Sequence, residues 1–144
     1  MSLLTFSIPL PPVPWAAPER GRYSFYDRRE PDKRAVRYLL AEQYKGTPIE
    51  EYTSLFFRYS FKPPASTTKK KKLLMLKGEI LPTRCDCTNL QKLYEDCLKG
   101  IVIDDDRKVA QIFSEKLYAE KDQVFIALWI GKFPPNFLDH VSAS

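Results

Sequence analysis

The stretch Thr88-Asn89-Leu90-Gln91-Lys92-Leu93-Tyr94-Glu95-Asp96-Cys97-Leu98-Lys99-Gly100 gives the plainest structural signal in the chain. Leu90, Leu93, Tyr94, Cys97 and Leu98 recur at three- and four-residue spacing, so a helix built from them has one apolar stripe that must lie against a core. Thr88 with Gln91 three residues later is a capping-box pattern, and Gly100 supplies a stop that tolerates left-handed backbone. A helix over residues 88–99 is expected, with Cys97 as a small core residue.

Working outward, the remaining elements follow from the same two periodicities. Residues 3–8, Leu-Leu-Thr-Phe-Ser-Ile, read as a first strand stopped by Pro9. In residues 31–45 Ala35, Val36, Leu39, Leu40 and Tyr44 mark an amphipathic helix with Pro31 at its start and Gly46 at its stop. Leu55, Phe57, Tyr59 and Phe61 alternate with Ser54, Arg58 and Ser60, the pattern of a strand with one covered face, ended by Pro63 and Pro64. Residues 66–78 carry Lys69, Lys70, Lys71 and Lys72 ahead of Leu73 to Leu76 and predict a short helix with a basic leading end. Two strands, residues 108–118 and 123–130, close the domain. The second is apolar on both faces, so Phe125, Ile126, Leu128 and Trp129 serve either a monomer core or an interface. The sum is an α/β (α+β) domain over residues 1–144, a small mixed sheet flanked by helices.

A chain of 144 residues can bury a core without disulfides. Its 44% hydrophobic and 28% charged residues exclude wholesale disorder, and no apolar run reaches the length of a membrane helix. The start of the chain lacks the basic flank of a signal peptide, so a reducing cytoplasm is the expected compartment. Three Cys, an odd number with poor spacing for zinc, read as free thiols. Twenty-three Lys and Arg against 18 Asp and Glu leave a charge of +5. That balance suits either a polyanionic partner or a basic protein without one. A basic scaffold that binds acidic partners through the Lys run is a separate class, and it would show no preference for branched over linear DNA.

Chemistry-bearing residues gather in two places. Asn89, Lys92 and Asp96 share a face of the 88–99 helix, with Asp86 just before its start. Downstream, Asp104, Asp105 and Asp106 are three adjacent like charges, read either as a solvated turn or as oxygen ligands for a hard cation such as Mg²⁺. Upstream, Arg20, Arg22, Arg28 and Arg29 lie among Tyr23, Phe25 and Tyr26. These could meet phosphates and unpaired bases, or the aromatics could pin a loop to the core.

The stretch Arg84-Cys85-Asp86-Cys87-Thr88-Asn89-Leu90-Gln91-Lys92, followed by Asp96, Leu98, Gly100 and Asp105-Asp106 before Val109, resembles the signature of the RusA-type Holliday-junction resolvases. The early Pro11-Pro12-Val13-Pro14 segment resembles the start of that family. The resemblance implies a homodimer that cuts four-way junction DNA with Mg²⁺ or Mn²⁺; no membrane partner is expected, since no apolar run is long enough to span one. It implies Asp86, Lys92 and Asp106 as catalytic residues, and Asp86, Asp106 and Asp105 as metal ligands. DNA contacts are expected at Lys69, Lys70, Lys71, Lys72, Arg84, Asn89, Arg28 and Arg29. One position departs from the pattern: Thr88 stands where the family motif has its second Asp. Thr88 is then either a weaker, uncharged ligand or a helix cap, and a junction-binding protein that does not cut is the alternative function.

Overall fold

The computed structural model describes residues 3–22 and 24–142; Tyr23, part of the basic and aromatic segment, lies outside them. In chain order the elements are β1 (Leu3–Ile8), β2 (Glu19–Arg20), β3 (Phe25–Tyr26), α1 (Glu30–Gln43), β4 (Thr53–Phe61), α2 (Lys69–Leu76), α3 (Cys87–Leu98), β5 (Val109–Tyr118) and β6 (Gln123–Ile130). β1, β6, β4 and β5 form one sheet in that order. β4 and β5 run parallel, as their long helical crossover requires, and the other two pairings are antiparallel. This is the mixed sheet with helices that the sequence predicts.

β6 is central, hydrogen-bonded to β1 and β4, and buried from Val124 to Trp129. Its apolar residues belong to the monomer core, which removes them as interface material. Phe57 and Leu55 of β4 sit opposite Ile126 and Leu128 of β6 in register. That face packs against Val36 and Leu40 of α1 and Leu90, Leu93, Tyr94, Cys97 and Leu98 of α3. Full burial of each such leucine is worth about 1.5–3 kcal/mol, so the stripe fixes α3 on the sheet.

Three expectations need correction. β4 is covered on both faces, because Phe56 joins Phe125, Ala127, Trp129 and Val141 in a second cluster under Phe133 and Phe137 of the C-terminal segment. Phe56 is the one apolar residue among the even positions Ser54, Phe56, Arg58 and Ser60, and the C-terminal segment, distant in sequence, helps to cover its face. α1 ends at Gln43 and not at Lys45: Tyr44 turns extended, its ring meets Phe6 edge-on, and its hydroxyl donates to the Thr47 carbonyl at 2.6 Å. The arginine-rich loop contains the β2–β3 hairpin, closed by Gly21 N–H to Ser24 O. All three cysteines are free and Cys97 is buried, as expected.

Candidate active site

The leading end of α3 is organised by Asp86. Cys85 has φ +123°, outside the conformations side chains favour, and it turns the chain so that Asp86 enters in extended form at the N-cap. Asp86 Oδ1 accepts the Asn89 backbone N–H at 2.7 Å, and Oδ2 lies 3.4 Å from Asn89 Nδ2. The cap is therefore Asp86 and not Thr88. Periodicity places a helix start only to within a residue or two, and both residue types cap well. Thr88 is exposed in the first turn and caps nothing.

One turn further on, Lys92 extends over the Trp15 ring, its Nζ 3.5 Å from the centroid. Asn89, Lys92 and Asp96 do leave the apolar stripe together, but they do not share partners. Asp96 turns toward α1, where Lys33 Nζ is 3.9 Å away and Arg37 donates to the Asp96 carbonyl.

The three aspartates after α3 form a turn tied to nearby cations. Asp104 pairs with Lys108 at 3.2 Å. Asp105 caps a short 3-10 turn and takes Arg107 through both oxygens, which holds its pKa down at about 2. Among the described residues Asp106 has only a 3.9 Å ion pair to Lys99, so its carboxylate is the least engaged of the three.

Sequence reasoning missed Glu95. It is half-buried, accepts from Gln91 Nε2 at 3.3 Å, and has its pKa raised first by burial and then by the charges of Asp106 and Asp96. Gln91 in turn accepts from Ser114 of β5. Glu95 flanks the apolar stripe eight residues after Cys87, a position that a search for apolar spacing passes over.

Asp86 and Glu95 are nine residues apart, about 14 Å of helix rise. Lys116, near the end of β5, donates to the Cys85 carbonyl, while Asp106 precedes the start of β5. Asp86 and the Asp104–Asp106 turn thus sit toward opposite ends of α3. Among the described residues, no three His, Cys, Asp or Glu side chains converge to hold a metal ion.

Of the expected DNA contacts, Lys69 to Lys71 are exposed in the first turn of α2, and Lys72 lies 3.8 Å from Glu120. Thr68 caps that helix. Arg84 and Asn89 are exposed near Asp86. Arg28 is held by Glu19 at 2.7 Å, and Arg29, at the α1 N-cap, is 4.0 Å from Asp32. Both of these arginines therefore have structural partners in the hairpin and helix start.

The family described as endodeoxyribonuclease RusA matches residues 10–128, from the Pro-rich segment into β6. The chain belongs to the RusA endodeoxyribonuclease family. Membership supports nuclease activity on DNA, and the matched span contains Asp86, Asn89, Lys92, Asp105 and Asp106. β1 and the C-terminal cover of the sheet lie outside the RusA match. No curated protein matches the chain. Among the described residues no helix is long and apolar enough to cross a membrane.

Proposed function

We propose that this RusA-family chain is a structure-specific endodeoxyribonuclease that resolves four-way junctions by paired incisions with Mg²⁺ or Mn²⁺, as a homodimer in the cytoplasm. The observation that carries this reading is the family match over residues 10–128, with the motif residues in order along α3 and the turn after it. Four lysines at the leading end of α2 support a polyanionic partner. Cations there oppose the helix dipole, so the arrangement costs stability that phosphates would restore. Two-fold symmetry supports the dimer, because paired cuts in a nearly symmetric junction need two sites.

The donor set consists of carboxylate oxygens, which suits a hard ion. No closed protein cage is needed, since Mg²⁺ is commonly held by one or two carboxylates with water and substrate phosphate completing the shell. Asp106, with its long ion pair to Lys99, is the carboxylate that best fits this, with Asp105 beside it, while Asp86, at the other end of α3, is out of reach of the same ion. When bound, the ion would supply phosphate polarisation and water activation. The chain's own part is to grip the backbone through its lysines, to hold carboxylates at the surface, and to present Lys92, whose ammonium can meet the negative charge that develops on the phosphate oxygens.

Thr88 favours a second reading, a junction-binding protein that does not cut, because the motif's second carboxylate is missing. A labelled four-way junction incubated with the protein in Mg²⁺ or Mn²⁺, and separately in EDTA, separates the two. Symmetric nicks only with metal support the nuclease; binding without nicks under both conditions supports the second reading.

A further inference from the structure

The Pro-rich segment between β1 and β2 has a task that its composition does not announce. Val13 N–H donates to the Tyr94 hydroxyl at 2.9 Å, and Trp15 N–H donates to the Asn89 carbonyl at the same distance. Tyr94 is buried in the core, so the first bond anchors the segment to a fixed point. The second lays Trp15 along the exposed face of α3, one turn before Lys92. Pro12 and Ala16 are buried on either side, and Pro12 and Pro14 restrict the backbone between them. The indole is thus held from both ends before it meets any cation.

Lys92 then lies with Nζ 3.5 Å from the centre of that ring. A lysine carries four rotatable side-chain bonds, and on an exposed helix face its ammonium would sweep a wide arc. The negative face of the indole attracts the charge and confines it. The confined position is on the Asp86 and Asn89 side of α3, where the family motif gathers its polar groups.

We propose that Trp15 is a positioning residue that holds the Lys92 ammonium in place for phosphodiester cleavage. The proposal rests on the reading of Lys92 as a participant in that reaction. Trp15 acts through Lys92, and what it contributes is a fixed starting point for the charge.

The test combines single-turnover cleavage of a four-way junction with NMR of the free protein. Trp15→Leu should slow cleavage about 10- to 100-fold, the scale of a misplaced reacting group, while junction affinity stays unchanged. Trp15→Phe, which keeps a ring, should recover most of the rate. In a Lys92→Gln background the Trp15→Leu change should add no further loss, because the two act as one unit. The Lys92 side-chain proton signals, assigned by their disappearance in Lys92→Gln, should be shifted upfield by the ring in the parent and in Trp15→Phe, and should return to ordinary lysine values in Trp15→Leu.

A structural role alone would leave Trp15→Leu still harmful in the Lys92→Gln background, and that result overturns the proposal. So does an unshifted Lys92 signal in the parent. If Lys92→Gln itself cuts at the parental rate, the reading of Lys92 falls and the proposal falls with it. If Lys92→Gln is slow and Trp15→Leu is not, only the positioning role fails.

Discussion

The two ends of α3 use the same residue type in different ways. At the leading end Asp86 is part of the architecture: its carboxylate closes the first turn of the helix, and neighbouring Lys92 is confined by Trp15. At the trailing end Asp104 and Asp105 are matched by Lys108 and Arg107, and Asp106 keeps a carboxylate with one distant partner. A motif that runs continuously in sequence is therefore split in space within one chain. The difference teaches that an aspartate's place in a family pattern does not reveal how much of its charge the fold has already engaged.

Neutralising the trailing end should have the largest effect. Asp106→Asn is expected to lower cleavage by more than about 100-fold, beyond the 10–100-fold typical of groups that merely support metal ligands. Junction affinity should hold or rise slightly, since a charge that repels phosphate is gone. Thermal stability should barely move, because the ion pair lost is exposed and long. Parental cleavage by this variant would remove Asp106 from the site.

The leading end allows cap and charge to be separated. Asn caps a helix about as well as Asp, whereas Ala loses about 1 kcal/mol, or about 3 °C of melting temperature in a domain of this size. Asp86→Asn should retain stability and lose cleavage, and Asp86→Ala should lose both. If Asp86→Asn cuts normally while Asp86→Ala is destabilised, Asp86 is a cap and nothing more, and the contrast between the two ends becomes absolute.

Neutralising the lysine run should change binding in place of chemistry. Lys69 to Lys72 stand on the side of β5 where Lys72 approaches Glu120 just past the strand's end, away from Asp106. Replacing all four with Gln should flatten the plot of log affinity against log salt by up to about 3.6, at about 0.9 per phosphate released, alike for all sequences. An unchanged slope would make the run a solvated helix end.

Much of this architecture was legible in the residues. The stripe from Leu90 to Leu98 and the double-sided β6 state their burial directly, because a period of 3.6 or an unbroken apolar strand has few other uses. What escaped notice depends on partners far along the chain. Phe56 stacks on Phe113 of β5, fifty-seven residues away, in a cluster that Phe133 and Phe137 of the C-terminal segment cover, and the two-residue strands β2 and β3 are too short to carry a period. In the site, residue types were readable, but engagement was not. Nothing in Asp86-Cys87-Thr88 says which oxygen meets the helix amides, and nothing in Glu95 says that burial and Asp106 raise its pKa.

The smallest expected effect concerns Thr88. Because Asp86 already caps α3, Thr88→Asp leaves the cap intact and places a negative charge where the helix dipole favours it, so stability should change little. A carboxylate beside Asp86 should lower the Mg²⁺ concentration for half-maximal cleavage a few-fold. Superimposable metal titrations of parent and variant would place Thr88 outside the site.

Paired cutting of four-way DNA by this chain can be read on a supercoiled plasmid carrying an extruded cruciform. Two coordinated incisions across the cruciform convert the circle to a linear molecule, whereas one incision relaxes it to a nicked circle. Metal-dependent linear product is expected from the cruciform plasmid and none from the same plasmid lacking the inverted repeat. Equal cutting of both plasmids, or retention of both as intact supercoils with metal present, would contradict paired cutting of the junction.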